Sequence, residues 1–453
     1  MAELHNRLYD AHAYDIEAEP MSWWRDSCAV PQFLYNPLEG DKISDIAVIG
    51  GGVTGLNAAL RLAKDHNQSV ILLDSSYPGW GASGRNGGFC CMGGSRLSEL
   101  AIARRLGVDE AHRFEMAQLQ SIDHVAKIID QLDLDVDRHS DGELVIAHSA
   151  KQATSLQEEA PLLSQKLDIE AHYRSASELK ERGEHLAGGF GGLHIKAGFA
   201  IHPMKYTSGL ATACHEVGAR LCGQSDVVAL SHEPTGRVRV HCTNGTVLAK
   251  RVLIATNGYA SERAPLSMAG RTMPVMSNII VTRPLTKDEQ TTQGWWSGQM
   301  AYDSRNLLHY FRLMPDGRFL FGMRGSWDAS ESGLKRFENE VRKHFNRMFP
   351  TWAGVEHDYF WSGLVCMTYS GLPYIGPIEG SPNVWAALGY HGNGLAMGSW
   401  AGAQAADILA SKMRHDALPA AFRQPLKAFP LPSLRKNYLK AGVLGMGLLD
   451  QIS

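Results

Sequence analysis

The sequence predicts an α/β protein in which a Rossmann-like nucleotide-binding domain is interleaved with an α+β domain built on an antiparallel sheet. Three observations carry that expectation. An apolar run beginning at Asp45 enters the cluster Gly50-Gly51-Gly52 and a helical pattern follows at once. Strand, glycine turn and helix recur near the C-terminus, from Val384 onward, and between the two the stretch from Met273 to Trp361 changes to alternating strands rich in aromatics. At 453 residues the chain exceeds one ordinary core and suits two domains.

Taken in order, residues 22–25 and 31–35 are an aromatic lead-in without periodicity, read as a packed arm. The spacing Gly50-x-Gly52-x-x-Gly55 then meets three demands that each exclude a side chain: a tight turn out of the strand, close approach of backbone to a pyrophosphate, and tight helix-on-strand packing. Val53, Leu56, Ala59, Leu60 and Ala63 recur at helical spacing, and Val70 to Leu73 reads as a buried parallel strand ending at Asp74. Asp74 is placed to accept hydrogen bonds from both ribose hydroxyls of an adenosine, while the helix start at Gly52 offers free N–H groups to phosphate. The same order also describes a βα unit that binds nothing; the full succession of strand, glycines, helix, strand and acid favours the nucleotide.

Residues 79–88 are too glycine-rich for a helix and too long for a simple turn, as suits a loop that brings backbone to a ligand. Residues 95–134 are helical in pattern, with Phe114, Leu119, Ile122, Val125 and Ile129 as a core stripe. A strand over 141–147, an exposed helix over 151–166 and a helix over 204–216 ending at Gly218 follow. Strands are expected at 219–222 and 225–230, in a hairpin of 238–242 and 246–249 around Asn244-Gly245, and at 251–256 before Asn257-Gly258. Residues 384–389, the turn 390–394 and an alanine-rich helix to about Met413 close the pattern.

Composition narrows the function. Hydrophobic residues are 44%, charged residues 20%, and the formal net charge of −3 comes with no basic tract, which gives no reason to expect nucleic acid. The seven cysteines are odd in number and lack C-x-x-C spacing, so neither a disulfide framework nor a zinc site is expected, and the 19 histidines form no metal pattern. That usage fits a reducing, cytoplasmic setting. The acid-rich first twenty residues do not make a secretory signal, and the apolar tail 441–449 is about half of a spanning helix. With Arg435, Lys436 and Lys440 beside it, the tail reads as a helix docked on the protein's own surface, with peripheral membrane contact as the alternative.

Five ordered segments carry a resemblance: Gly50-x-Gly52-x-x-Gly55 with Asp74, then 81–88, 255–258, 371–376 and 389–394. Together they resemble the FAD-contacting segments of the D-amino acid oxidase and glycine oxidase family, over nearly the whole chain. Within it the likeness is to the γ-glutamylputrescine oxidase type, through Trp23 and Trp24, the loop at 82–88 and the strand at 316–325. The resemblance implies a glutathione-reductase-type FAD domain from 43–95, 190–270 and 362–425, a substrate domain from 96–189 and 271–361, an arm at 1–42 and a tail helix at 426–453.

It also implies roles. Gly50, Gly52, Val53, Thr54, Gly55 and Asp74 would meet the phosphates and ribose, Val227 or Val228 the adenine, and Ser83, Gly84, Arg85, Asn86 and Gly87 the loop over the flavin. Thr256, Asn257, Gly258, Gly389, Gly392, Asn393, Gly394 and Leu395 complete the cofactor set, with the 392–394 turn answering negative charge on the reduced ring. His391, Arg85 and Asn86 are candidate catalytic residues; Arg85 and Asn86 could equally hydrogen-bond their own loop, and His391 could be a packed histidine. Tyr302, Tyr310, Arg324, Val365 and Tyr369, together with Trp361, are expected at the substrate. Amino-acid oxidases of the family carry a carboxylate-binding arginine eight residues before the proline matched by Pro373; here that position is Val365, so an amine without an α-carboxylate is expected unless Arg312 or Arg324 reaches in. Cys366 is three positions out of register with relatives that attach flavin covalently, so non-covalent FAD is expected. The expected activity is FAD-dependent oxidation of an amine to an imine, with O2 or a quinone as acceptor. The alternatives are a D-amino acid dehydrogenase passing electrons to a quinone, or a flavin-binding subunit without a substrate, which a collapsed cavity would favour.

Overall fold

The computed structural model describes residues 7–452. Its strands form two eight-stranded sheets and one small two-stranded ribbon. In the first sheet the strand Gly40–Ile49 runs parallel to Gly245–Ile254 on one side and to Val70–Leu73 on the other. The sheet extends to Val384–Leu388 and Tyr374–Pro377 at one edge and Arg220–Cys222 at the other. Residues Ile46 to Ile49 and Val70 to Leu73 are buried without alternation, as parallel strands covered on both faces must be. Val48 and Leu72 pack with the helices Val53–Lys64 and Gly394–Leu409, while Ala47, Ile49, Ile71 and Leu73 pack with Val238, Val240 and Val247 of the hairpin.

The second sheet takes its strands in the order His357–Thr368, Thr272–Thr282, Phe319–Ser326, His309–Leu313, Met300–Asp303, Glu143–Ile146, Gly192–Ile195 and Ala171–Arg174. Its pairs are antiparallel except Met300–Asp303 with Glu143–Ile146, which run parallel. Most aromatics of this region fill its core: Trp295, Phe311, Phe319, Phe345, Phe349 and Trp352 are buried together between the sheet and the helix Glu331–Met348.

Five expectations need correction. The helical stretch 95–134 is broken at Gly107, whose φ of 97° belongs to the region that favours glycine, into Glu99–Leu106 and Val108–Gln131. These helices do not join the second sheet: Phe114, Ile122 and Val125 share a core with Leu56 and Ala401. Gly192–Ile195, expected with the nucleotide-binding segments, pairs with Glu143–Ile146 in the second sheet, and His357–Thr368 continues in that sheet past the expected boundary at 362. The strands expected at 246–249 and 251–256 are one strand, Gly245–Ile254. Short strands advertise their own periodicity but not their partners.

The C-terminal helix Arg435–Ile452 buries Leu439 and Val443 against Tyr9, Tyr14 and Met276, and Arg435 pairs with Glu262 at 2.8 Å. Among the described residues no helix is long and apolar enough to cross a membrane.

The two helices above the first sheet approach unusually closely. A Cβ on Gly402 would stand 2.1 Å from the carbonyl oxygen of Thr54, and one on Gly398 would stand 2.9 Å from its Oγ1. Gly402→Val is therefore expected to lower thermal stability by about 1–3 kcal/mol, the usual cost of overpacking. A melting temperature equal to that of the wild type would show that the helices can part freely.

Candidate active site

A continuous cavity of about 480 Å³ lies between the C-terminal ends of the first sheet and one face of the second. Gly50, with φ of 106°, turns the chain out of the first strand; a Cβ there would meet the carbonyl oxygen of Ala255 at 2.8 Å. Gly52 caps the helix without a side chain, and Gly55 lies so close to the strand that a Cβ would fall 1.9 Å from the oxygen of Gly50. Gly50, Gly52, Val53 and Thr54 border the cavity, whereas Gly55 serves only the helix–strand packing. Gly50 thus serves the turn, Gly55 the helix–strand packing, and Gly52 opens the helix at the cavity.

Asp74 borders the cavity with both carboxylate oxygens engaged: the N–H of Gly51 donates to Oδ2 at 2.7 Å and that of Ser76 to Oδ1 at 3.0 Å. Burial pushes its carboxyl up to about 6 in spite of those two donors. Of the two residues expected to meet the adenine through backbone atoms, Val227 borders the cavity, and the side chain of Val228 is 49% exposed on the opposite side of the strand.

The loop after Trp80 folds over the middle of the cavity. Ser83 accepts from the N–H of Val53 at 2.9 Å, tying the loop to the helix start. Asn86 spends its amide inside the loop, donating to the oxygens of Ala82 and Ser83 and accepting from the N–H of Gly88 at 2.7 Å. Arg85 donates from Nε to the oxygen of Trp80 at 2.8 Å and lies over its indole. Both residues border the cavity with Gly87, and these hydrogen bonds build the loop from their side chains. Gly84 faces away, packed on Gly79 and Met204.

At the second helix start, Gly392, Asn393, Gly394 and Leu395 border the cavity. The N–H groups of the first turn of Gly394–Leu409 open toward it, as those of Val53–Lys64 do. Thr256 and Asn257 border it as well, and Asn257 ties the two turns together by accepting from the N–H of Gly389 at 3.0 Å. Gly258 and Gly389 lie behind the wall, against Leu364 and Thr368. Thr256 Oγ1 and Asn393 Oδ1 are buried with no hydrogen-bond partner among the described residues. Orphaned polar atoms are costly, and two on one cavity wall beside two open helix starts fit a polar, phosphate-bearing ligand. His391 borders the cavity with φ of 52°, but its ring nitrogens meet Met367 Sδ at 3.0 Å and Thr368 Oγ1 at 3.2 Å. Burial pushes its pKa down to about 4, so the ring is neutral, and both its nitrogens contact the neighbouring strand.

The second sheet supplies the far wall. Tyr302, Tyr310, Arg324 and Val365 border the cavity. Tyr310 shares a 2.8 Å hydrogen bond with Ser277. The guanidinium of Arg324 lies beside Gly392, where a Cβ would stand 2.1 Å from Nη2, and no acid among the described residues pairs with it. Tyr369 is 52% exposed and packs edge-on to Phe429, and Trp361 donates from Nε1 to the oxygen of Arg85 in the core; neither reaches the cavity. Arg312 is fully buried, donating to the oxygen of Ile201 at 2.8 Å, and is no candidate clamp.

Sequence reasoning missed Glu143. Its carboxyl is buried behind Cys91 and Tyr302, pushed up to about 7 by burial, with Oε1 accepting from the N–H of Met92 at 3.2 Å and Oε2 unpartnered among the described residues. The signal was a lone acid in an apolar strand. The turn 91–94 was also missed; it continues the glycine loop, and Gly93 lies against Asn393.

The family described as FAD dependent oxidoreductase (DAO) matches residues 45–408. The chain is similar to gamma-glutamylputrescine oxidoreductase of Escherichia coli (strain K12), with 30% identity over 429 residues, covering 92% of this chain and 95% of that protein. It is also similar to a probable oxidoreductase OrdL of Haemophilus influenzae, with 31% identity over 391 residues, covering 83% and 85%. Among solved structures, glycine oxidase from Geobacillus kaustophilus shares the fold at a TM-score of 0.68 and 21% identity, over 83% of this chain and 96% of that one. The fold, the cavity between two helix starts and the extent of the family match lead to one conclusion: the chain belongs to the DAO family of FAD-dependent oxidoreductases, enzymes acting on amine or amino-acid substrates.

Proposed function

We propose that this enzyme oxidises the C–N bond of a primary or secondary amine to an imine, and that the carbon losing hydride bears no carboxylate. Val365 is the observation that carries the reading. It borders the cavity from the strand His357–Thr368, at the position where the resemblance expects a carboxylate-binding arginine. An α-carboxylate there would lose water and gain no partner. Bound FAD supplies the hydride acceptor. The chain's own residues hold and polarise: the starts of Val53–Lys64 and Gly394–Leu409 present N–H groups to negative charge, Thr256 and Asn393 offer their unpartnered oxygens to polar hydrogens, and Tyr302 and Tyr310 shape an aromatic wall. Cys366 also borders the cavity, but burial pushes its thiol up to about 12, so the nucleophilic thiolate is scarce and the FAD is held without a covalent bond.

Arg324 favours a second reading, an amino acid held from the strand Phe319–Ser326. A half-buried guanidinium that borders the cavity and has no acidic partner among the described residues asks for an anion. An amine whose carboxylate lies several bonds from the oxidised carbon, as in a γ-glutamylated diamine, satisfies both Val365 and Arg324, and it agrees with the name of the Escherichia coli relative. The open cavity between the sheets argues against a flavin subunit without substrate. O2 is proposed as the acceptor, with a quinone as the alternative.

Anaerobic bleaching of the flavin by a panel of amines separates these readings. Carboxylate-remote and carboxylate-free amines are expected to reduce it faster than the matching α-amino acids of either hand. Arg324→Gln should raise the half-saturating concentration of carboxylate-bearing amines by about tenfold or more, the worth of a charge-assisted hydrogen bond, with little change for uncharged ones. Fast reduction by simple α-amino acids, abolished in Arg324→Gln, would replace the first reading by the second.

Asp74 makes FAD retention pH-dependent. The ribose hydroxyls donate, so binding favours the ionised carboxylate; its raised pKa of about 6 means that retention is fullest above that value and declines as pH falls through it. Titrating apoprotein with FAD across that range should show the decline, and Asp74→Asn should flatten it. The same slope in Asp74→Asn would place the titrating group elsewhere.

A further inference from the structure

The arm ahead of the first strand is more than packing. We infer that residues 7–24 form one wall of the cofactor site, with Arg7 and Ile16 closing its adenosine end and FAD leaving only when the arm lifts. The inference rests on the FAD reading above and extends it to a segment outside the family's matched residues, which begin at 45.

Arg7 and Ile16 border the cavity at the same end as Asp74, Asp226 and Val227. A second cavity of about 450 Å³ is bordered again by Arg7, Ile16 and Asp226, so these three residues stand between the two spaces. The guanidinium of Arg7 lies over the ring of Tyr14, 4.7 Å from its centroid, and Tyr14 meets Tyr259 edge-on. That stack leaves a flat cation facing a cavity end where Asp74 and Asp226 repel each other; burial pushes the Asp226 carboxyl up, and the Arg7 charge offsets part of that. A purine ring and its ribose are suited to such a place: flat, rich in acceptors and compatible with a stacked guanidinium.

The arm is fastened on both sides of that end. Ser76 Oγ donates to the oxygen of Ile16 at 3.1 Å, Trp80 Nε1 to that of Ala18 at 3.1 Å, and Trp24 Nε1 to that of Asn86 at 2.8 Å. These bonds hold it to the loop over the cavity. At its other end Tyr9 reaches the second sheet, where its hydroxyl accepts from the N–H of Met276 at 3.3 Å and donates to the oxygen of Pro274 at 3.3 Å. A strap fixed to the cofactor loop at one end and to the opposite sheet at the other crosses the exit of the bound nucleotide.

The test is the rate of FAD release from purified holoenzyme, followed by the rise of flavin fluorescence after dilution, together with FMN affinity of the apoprotein. Arg7→Ala is expected to release FAD about tenfold faster, and Arg7→Lys to recover part of the loss. Tyr9→Phe, which removes only the hydroxyl bonded to Pro274 and Met276, should release FAD severalfold faster by loosening the strap. FMN lacks the adenosine, so its affinity should be the same in Arg7→Ala and wild type. Wild-type release rates in both Arg7→Ala and Tyr9→Phe, or an equal loss of FMN affinity in Arg7→Ala, would overturn the arm's role. Wild-type protein that purifies without any flavin would overturn the cofactor reading itself, and the arm's role with it.

Discussion

The structure depends on the close approach of two helices above the central parallel sheet. Val53–Lys64 and Gly394–Leu409 come from opposite ends of the chain, and they meet where Gly398 and Gly402 leave no room for a side chain over Thr54. Because they meet there, both N-termini open on the same cavity. Each brings unsatisfied N–H groups and the positive end of a dipole to one place, which neither could do alone. A wider separation would spread that field over two sites and leave a dinucleotide without a continuous cradle.

The cavity wall is held by side chains that look functional in isolation. Arg85 and Asn86 are polar residues on a glycine loop over the site, and they spend their hydrogen bonds on the loop itself. His391 is fixed by Thr368 and the sulfur of Met367. Such wall residues make the positions of backbone N–H groups reproducible, and in a family whose cofactor carries the chemistry, position is most of what the protein must supply.

The opposite wall distributes charge unevenly. Among the described residues Arg324 borders the cavity with no acid to answer it, while Glu143 sits behind Tyr302 with one oxygen unpartnered. An unpaired cation in the cavity and a reluctant acid behind its wall describe a pocket that expects its complement from the substrate. The two groups lie on strands distant in sequence that the second sheet brings to one face.

By itself the sequence determined the nucleotide-binding unit, because each of its requirements is local: Gly50, Gly52 and Gly55 answer steric demands within one turn, and Asp74 ends the neighbouring strand. It also showed the change to a second, aromatic-rich region of strands after Met273, since that change of pattern is read along the chain. Only the tertiary structure decided which sheet Gly192–Ile195 joins, that the helices over 99–131 pack on the nucleotide-binding side, that Tyr369 faces solvent and that Val228 turns away from the cavity. Only it brought Arg7 and Arg324 to the walls of one cavity and Glu143 behind one of them. The physical reason is range: a turn's conformation is fixed by its neighbours, whereas the partner of a strand and the surroundings of a charge are fixed by residues hundreds of positions away, and periodicity carries no record of them.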